Sequence, residues 1–273
     1  DYNGNLDIPV DVNVDAGGNV YVAGRGYFNA LQDVNYVLIK YNSAGTQQWV
    51  RTYNDSTGAS DKDNLNDMSI DASGNIYVTG SSIGNTSAED FYTIKYDGNG
   101  NVLWNERYKT AGAAINEATG ISIGGSGDVY ITGYSGIPGN GNDYTTLRYD
   151  ANGTLIWFTH YDGTSNNSDK ALAIYVDPSE NIYVTGSSTG TGTAQDYMTI
   201  KYCQLTTTAS PDTSICVGES VLLDAVGAGG HSWSVVSGDP IVVGVNFSCV
   251  NCQDPIASPS VTTTYAVSTT NGV

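Results

Sequence analysis

The sequence predicts an all-β protein in two parts, a series of repeated four-stranded units followed by a small β-sandwich. A ten-residue phrase, DASGNIYVTG at Asp71–Gly80, recurs with small changes at Asp15–Gly24, Gly124–Gly133 and Asp177–Gly186. Segments in which apolar and polar residues alternate precede each copy, and this period of two is typical of β-strands. The 33 glycines and 20 tyrosines also fit strands joined by many turns.

Each copy of the phrase predicts a β-hairpin. Gly74 and Asn75 tolerate the positive φ that a tight turn needs. The next four residues, Ile76 to Thr79, are β-branched or aromatic and suit a half-buried pleated surface. Met68 and Ile70 alternate with polar residues before the turn, which predicts the partner strand.

The full repeat is longer than this hairpin. A third strand-like element follows each phrase (DFYTIKY at Asp90–Tyr96 is one copy), and a fourth element contains a tryptophan. The repeat-defining aromatic residues are Tyr21, Tyr77, Tyr130, Tyr183, Trp49, Trp104 and Trp157, and the tyrosines are 56, 53 and 53 residues apart. Four short strands in a unit of about 53 residues are typical of a β-propeller blade, because parallel β-helices have shorter coils. A β-sandwich would not repeat its own sequence so closely.

The repeats predict a propeller region over residues 1–202. It contains three full blades and one incomplete blade, since no tryptophan strand follows the third element of the last unit. Asp1–Gly4 matches the end of a fourth strand. An open set of blades leaves sheet faces uncovered, so we expect this region to be part of a larger propeller.

The repeats resemble the bacterial repeats called SBBP, for seven-bladed β-propeller. The resemblance rests on the motifs VDxxGNVYVTG, DYxTIKY and NGxxxW…Y and extends over Asp1–Tyr202. It implies about seven blades in total, with the first element of each unit nearest the central channel and the tryptophan element on the outside.

Composition changes after Tyr202, and residues 203–273 contain all four cysteines. Alternating segments there predict a small immunoglobulin-like sandwich that is incomplete at its C-terminus. Clustered cysteines predict structural disulfides in an oxidising compartment, and sequence proximity favours Cys203–Cys216 and Cys249–Cys252. A zinc site made of the four thiolates is the alternative, but it has a CxxC only at Cys249–Cys252. A redox-active CxxC would need a βαβ context, which is absent.

The second region resembles the Ig-like or PKD-like modules of large secreted proteins of the Bacteroidota. The matching segments are Ser210–Leu223, the strand of Trp233, Cys249–Pro259 and Thr262–Val267. Together with the repeats, this resemblance implies export by the type IX secretion system, with a sorting domain beyond Val273.

The net charge of the chain disfavours some classes of binding partner. The chain has 28 acidic and 10 basic residues, for a formal net charge of −18. Such a surface repels nucleic acid and anionic membranes. No apolar stretch approaches the 18 residues of a transmembrane helix, and the opening residues DYNGN do not have the charged-then-apolar pattern expected of a signal peptide. The balance is compatible with cations and with solubility outside the cell.

Calcium is the one cofactor that the sequence raises. Asp61, Asp63 and Asp67 lie in the densest group of oxygen ligands, which calcium prefers, although their spacing is not that of an EF-hand. A plainer interpretation comes from the repeat, because Asp7, Asp63, Asn116 and Asp169 occupy the same position before the first strand. A side chain there can accept hydrogen bonds from backbone N–H groups of the interblade turn.

No catalytic constellation emerges from the sequence. His160 and His231 are the two histidines, they fall in different regions, and no nucleophile elbow is present. The recurring basic residues, Lys40, Lys95, Arg148 and Lys201, are expected to pair with nearby acids, for which the residues that open the same element (Asp90, Asp143 and Asp196) are candidates. A basic ring in the channel is the alternative. The repeated aromatic side chains are expected to pack between blades rather than to stack sugars.

We therefore expect a non-enzymatic, secreted or cell-surface scaffold of adhesin type, which binds a protein or glycan surface ligand or outer-membrane attachment machinery. Ligand contacts are expected in the loops that differ between units, Gly26–Asp33, Ser81–Glu89 and Tyr134–Asn142. A propeller hydrolase or lyase with a channel-end active site is one alternative. A structural subunit of an outer-membrane assembly is another.

Overall fold

A computed structural model describes residues 6–27, 34–55, 62–83, 88–112, 115–139, 141–192, 194–202, 208–209, 219–226 and 230–270. Their regular elements are all β-strands. The chain divides into two compact units, Asp1–Cys203 and Gln204–Val273, next to the predicted border at residues 202 and 203. The described residues contain no helix that is long and apolar enough to cross a membrane.

The first unit consists of antiparallel sheets in which strand order follows chain order. We call these sheets blades 1 to 4. Blade 1 contains β1 (Asp7–Val14), β2 (Val20–Tyr27), β3 (Val34–Tyr41) and β4 (Gln47–Tyr53). Blade 2 contains β5 (Asp63–Ile70), β6 (Ile76–Ser82), β7 (Asp90–Tyr96) and β8 (Val102–Tyr108).

Blade 3 contains β9 (Asn116–Ile123), β10 (Val129–Ile137), β11 (Gly141–Tyr149) and β12 (Leu155–Tyr161). Blade 4 contains β13 (Lys170–Val176), β14 (Ile182–Thr189) and β15 (Gln195–Tyr202), and its described sheet has three strands. The four-stranded β-propeller repeat predicted from the sequence is thus confirmed.

The turn between the first two strands of a blade is built as the sequence predicts. In blade 2, Oδ1 of Asp71 accepts hydrogen bonds from the backbone N–H groups of Ser73 and Asn75, both at 2.9 Å. The hydroxyl of Tyr77 donates to Oδ2 of the same aspartate at 3.0 Å. Gly74 takes a φ of +81°, in the left-handed region that favours glycine. The repeated Asp, Gly and Tyr therefore close one hairpin together.

Neighbouring blades pack through their apolar faces. Between blades 1 and 2, the core includes Tyr21, Leu38, Leu65 and Met68, all of which are buried. The tryptophans pack at the edges of these cores, as Trp104 does against Tyr77, with ring centroids 6.0 Å apart. Burial of this apolar and aromatic surface stabilises the stack of blades.

Two expectations about side chains and loops are corrected. Among the described residues, the expected pairing with a nearby acid is confirmed for Arg148 and not for Lys95, and neither residue pairs with the acid that opens its own strand. The ammonium group of Lys95 donates to the carbonyl of Ala151 in the next blade at 3.0 Å, and Arg148 pairs with Asp128 at 2.5 Å. The physical reason is that each basic residue lies over the ring of the hairpin tyrosine, at the turn end of its strand and away from the opening acid.

The expected loop at Tyr134–Asn142 is mostly strand. β10 continues to Ile137 and β11 begins at Gly141, with these two residues paired. Ser81, from another expected loop, is likewise a buried residue of β6. The prediction of loops at these positions was wrong because the small polar residues there continue the pairing between strands instead of ending it. The expected loop at Gly26–Asp33 lies partly outside the described residues, which include its first two positions in β2.

The second unit has short strands that pair two at a time. They are β16 (Thr208–Ala209), β17 (Val221–Leu222), β18 (Ala225–Val226), β19 (Gly230–Ser237), β20 (Ile256–Ala257) and β21 (Thr264–Thr270). In the described part, β16 pairs with β18, β17 with β20, and β19 with β21. Trp233 and Phe247 form its buried core with Ala225 and Ala257. The immunoglobulin-like sandwich stays a prediction.

One predicted disulfide is confirmed. Cys249 and Cys252 are bonded, with Cα atoms 5.9 Å apart. Their sulfurs are therefore not free thiolates, which favours the disulfide over the zinc alternative. Cys203 and Cys216 lie outside the described residues.

Candidate functional site

The structure does not gather the aspartates that the sequence singled out for calcium. Asp63 opens β5 and is fully buried, and Asp67 follows a bulge in the same strand. Both oxygens of Asp67 accept backbone hydrogen bonds, from Met68 and from Ile121 of blade 3. Asp61 lies outside the described residues. Asp63 and Asp67 are not part of the group of converging acids found in the described structure.

The repeat position of Asp63 has the backbone role that the sequence predicted for it. At each of the three blade junctions, a side-chain oxygen of the residue at this position accepts a hydrogen bond from a backbone N–H group of the segment that connects the two blades. The pairs are Asp55 to Asp63 at 3.1 Å, Thr110 to Asn116 at 3.2 Å and Gly163 to Asp169 at 2.9 Å. This contact fixes the start of each new blade against the end of the preceding one.

A group of three aspartates lies at the junction of blades 3 and 4. Asp143 is in β11, Asp162 follows the last residue of β12, and Asp169 precedes β13. One carboxylate oxygen from each lies within 4.8 Å of the others. Asp143 and Asp169 are 1% and 0% exposed. We call these three residues the junction triad.

The junction triad contains unsatisfied acceptors. Asp169 accepts hydrogen bonds from the N–H groups of Gly163 and Thr189, both at 2.9 Å. Oδ1 of Asp143 and Oδ1 of Asp162 are buried, however, and have no hydrogen-bond partner in the described structure. Burial, with the charges of Asp162 and Asp169, raises the pKa of Asp143 to about 6. Burial and the two neighbouring carboxylates thus disfavour the ionised form of Asp143.

The other two junctions balance their charge differently. The residues at the three repeat positions are Asn35, Asn54 and Asp63 at the first junction, and Asp90, Lys109 and Asn116 at the second. Their formal charges are −1 and 0, against −3 at the third. A guanidinium nitrogen of Arg107 also lies 3.7 Å from Asp90.

The position of Arg107 is taken by His160 in blade 3. Nδ1 of His160 is 2.9 Å from the hydroxyl of Thr145, and burial lowers the pKa of the imidazole, which is therefore uncharged near neutral pH. Among the described residues, no basic side chain forms an ion pair with the junction triad. Among the described residues of the first unit, the junction triad brings three carboxylates together, and such oxygen donors suit a hard cation.

A second polar group connects the first and second strands of successive blades. The guanidinium of Arg25 donates to Asn66, whose amide donates to Glu117 at 3.1 Å. The hydroxyl of Tyr134 donates to the other oxygen of Glu117, and the ammonium of Lys170 lies 4.1 Å from the centroid of the Tyr134 ring. Burial and the neighbouring Glu117 carboxylate raise the pKa of Tyr134. This chain of contacts was not predicted from the sequence, because its residue types do not recur at the equivalent positions of the other units.

Comparisons with known proteins find one family model and several solved structures that are similar to parts of this chain. The family model described as SBBP, beta-propeller repeat, matches residues 48–85 and 157–192. No curated protein matches the chain. One similar solved structure is the Hadza microbial sialidase Hz136, with 11% identity, a TM-score of 0.51, and coverage of 71% of this chain and 44% of that one. The chain thus spans less than half the length of the sialidase, and the likeness concerns the fold.

Another similar structure is the β-propeller domain of the Trilobed protease from Pyrococcus furiosus. Its identity is 11% and its TM-score is 0.41, with coverage of 80% of this chain and 62% of that one.

Proposed function

We propose that this chain, which carries β-propeller repeats of the SBBP type, is a non-enzymatic scaffold of a secreted or cell-surface protein. Its blades present a binding surface to a protein or glycan ligand in the manner of an adhesin. Export as cargo of the type IX secretion system belongs to the same proposal and rests on the sequence resemblance of both regions.

One observation supports the scaffold role above others. The repeated polar groups are used in contacts between blades. The hydroxyl of Tyr36 donates to the carbonyl of Tyr92 at 3.2 Å, and the ammonium of Lys40 donates to the carbonyl of Gly98 at 2.7 Å. The position of Tyr36 is aromatic and that of Lys40 is basic in every unit, and both residues here connect neighbouring blades. A repeat scaffold of this kind varies its binding surface through the residues that do not recur.

Charge and covalent structure fit the same role. The net charge of −18 disfavours nucleic acid as a partner and favours ligands that are neutral or cationic. The disulfide between Cys249 and Cys252 is a bond typical of proteins that function in oxidising surroundings.

A binding experiment tests the proposal. The whole chain is applied to an array of glycans and to immobilised extracellular proteins, with an equally acidic protein without repeats as the charge control. We expect saturable binding that persists at 0.5 M salt, about three times physiological ionic strength, at which exposed electrostatic attraction is screened. Absence of saturable binding on both panels would overturn the adhesin-like role. Recovery in a stoichiometric outer-membrane complex would instead indicate a structural subunit.

A hydrolase is the second candidate, because of the hydrogen bond between Tyr134 and Glu117. A tyrosine nucleophile occurs in some glycoside hydrolases. However, the raised pKa of Tyr134 opposes formation of a phenolate. The hydroxyl of Thr145, which lies beside His160, is no alternative nucleophile, because Thr145 is fully buried and out of reach of a substrate.

Fluorogenic glycosides, including a sialoside, distinguish the two candidates. The scaffold proposal predicts no turnover above that of the Tyr134→Phe variant. Turnover by the unmodified chain that is lost in Tyr134→Phe, but kept in Tyr197→Phe, would establish the hydrolase. Tyr197 is a suitable control because its side chain is 92% exposed.

A further inference from the structure

We propose that the junction triad of Asp143, Asp162 and Asp169 binds one calcium ion, which fastens blade 4 to blade 3. This inference stands apart from the proposed binding role, because a cation site between blades does not depend on which ligand the blades present.

The spacing of the carboxylates fits calcium. Calcium takes six to eight oxygen ligands at about 2.3–2.6 Å, so two of its ligands are at most about 5 Å apart. One oxygen from each triad residue lies within 4.8 Å of the other two. All three can therefore contact one ion with little rearrangement. Magnesium needs ligands at about 2.0–2.1 Å in a nearly ideal octahedron, which a group of this width serves less well.

Burial within the triad favours a cation between the three acids. Asp143 is 1% exposed, and its Oδ1 has no hydrogen-bond partner among the described residues. Oδ1 of Asp162 is also buried without one. Buried charges without partners are strongly unfavourable, and proteins pair them or place a metal between them. An ion bound here would take up the acceptors that no described hydrogen bond satisfies.

Comparison of the junctions gives independent support. At the second junction, Lys109 and Asn116 replace Asp162 and Asp169, and Arg107 lies 3.7 Å from Asp90. That junction therefore carries its own cationic groups. The third junction has three acids and His160 in place of Arg107, and no ion pair of the described residues involves the triad, so a cation from solution would supply the counter-charge.

The surrounding backbone approaches the triad closely and holds it in place. A Cβ atom at Gly163 would lie 3.0 Å from both carboxylate oxygens of Asp169 and 2.7 Å from the hydroxyl of Ser188. The N–H of Asp169 donates to the carbonyl of Asn142, in the strand that carries Asp143, at 2.5 Å. These contacts fix ligands from two blades relative to each other, as a preformed site requires.

Calorimetric titration tests the proposal. The whole chain is freed of metal with a chelator and then titrated with calcium chloride and, separately, with magnesium chloride. We expect one calcium per chain, with a dissociation constant of roughly 10⁻⁵ to 10⁻³ M, and weaker binding of magnesium. Absence of calcium binding at concentrations up to about 10 mM, ten times the weak end of that range, would overturn the proposal.

A matched pair of variants locates the site. Asp143→Asn removes one ligand charge, and we expect calcium affinity to fall at least tenfold. Asp196→Asn is the control, because Asp196 occupies the same repeat position in blade 4 but does not belong to the triad. It should bind as the unmodified chain does. Equal binding by Asp143→Asn and the unmodified chain would refute this location.

A further readout separates loss of a ligand from failure to fold. Asparagine already stands at the repeat position of Asp143 in blade 1, as Asn35. Asp143→Asn should therefore fold, and without calcium its Tm should equal or exceed that of the unmodified chain because one buried charge is gone. A lower calcium-free Tm would contradict the unpaired charge on which the proposal rests. Terbium, excited through Tyr161 beside Asp162, should luminesce with the unmodified chain and with Asp196→Asn but not with Asp143→Asn.

Discussion

The hydroxyl of Tyr130 in blade 3 donates a hydrogen bond to Oε2 of Glu180 in blade 4 at 3.2 Å. In the other blades the equivalent tyrosine donates to an aspartate six residues earlier in its own turn. Blade 3 has Gly124 at that position, and the carboxylate comes from the next blade instead. Oε1 of Glu180 also accepts the N–H of Ser126 at 3.0 Å.

Glu180 itself departs from the repeat, since it stands where the other turns have a glycine of positive φ. Its φ of +62° makes it the non-glycine residue of this kind among the described residues. Such a conformation costs about 1 kcal/mol for a residue with a Cβ. The two departures, at Gly124 and Glu180, therefore compensate for each other across the blade junction.

The compensation predicts strong coupling between these positions. Glu180→Gly removes the acceptor of Tyr130 and should lower the free energy of unfolding by about 1 kcal/mol, after relief of backbone strain. Gly124→Asp should lower it by about 1 kcal/mol, because the new side chain would displace the Glu180 carboxylate from Tyr130 and Ser126. The double variant restores the arrangement of the other blades and should be close to the unmodified chain. Urea denaturation of all four proteins measures the coupling, and simple additivity would contradict this account.

Lys95 should stabilise the junction of blades 2 and 3. Its ammonium donates to the carbonyl of Ala151 at 3.0 Å and lies 5.0 Å from the centroid of the Tyr77 ring. Lys95→Met keeps the apolar stem but loses both contacts, so we expect a loss of about 1–2 kcal/mol in urea denaturation. Lys62→Met, at an exposed position, is the control and should change stability by less than about 0.5 kcal/mol. Equal effects of the two substitutions would show that the interblade contact is unimportant.

Gly80 allows close approach of two strands within blade 2. A Cβ there would lie 1.9 Å from the backbone oxygen of Asn64 and 2.8 Å from the hydroxyl of Tyr36. Backbone cannot move aside cheaply, so Gly80→Ala should lower the free energy of unfolding by about 2–4 kcal/mol. At Gly98, the nearest atom to a new Cβ is 3.6 Å away, and Gly98→Ala should be tolerated. Thermal unfolding of both variants makes the comparison, and a stable Gly80→Ala protein would disprove the steric argument.

Asp67 should make stability depend on pH. Burial raises the pKa of its carboxyl from 3.8 to about 6 in the folded protein. The folded state then holds the proton more tightly than the unfolded chain, so this group's contribution to stability is lost as pH rises from about 4 to 6. In calcium-free buffer, Asp67→Asn should reduce the fall in Tm across that window. An unchanged slope would show that Asp67 ionises without penalty.

Asp97→Asn provides a control of opposite sign. Hydrogen bonds from the side chain and backbone of Asn101 lower the pKa of Asp97, so its contribution is present above the unfolded value and lost as pH falls. Its removal should therefore lower Tm more at pH 6 than at pH 3. The two variants change the same charge, and only their surroundings differ.

The sequence alone was sufficient to predict the repeated hairpins and the four-stranded blade. Asp71, Gly74 and Tyr77 interact within seven residues, and turn chemistry with period-two alternation is local information. The bond between Cys249 and Cys252 is local as well. By contrast, the ends of β10 and the partner of Lys95 were predicted incorrectly, and the acid that pairs with Arg148 was not singled out, because pairing across strands and blades decides them.

The candidate metal site was decided by tertiary structure. Local density of acids drew attention to Asp61, Asp63 and Asp67, but a bulge between Leu65 and Asp67 interrupts the alternation of β5, and backbone donors occupy the oxygens of Asp67. The junction triad is spread over 27 residues of sequence, and strand register and blade packing bring it together. Aligning the junction positions of the three units would have revealed its excess of acids. The alignment could not reveal that Oδ1 of Asp143 is buried without a hydrogen-bond partner, since solvent is excluded only when blade 4 packs on blade 3.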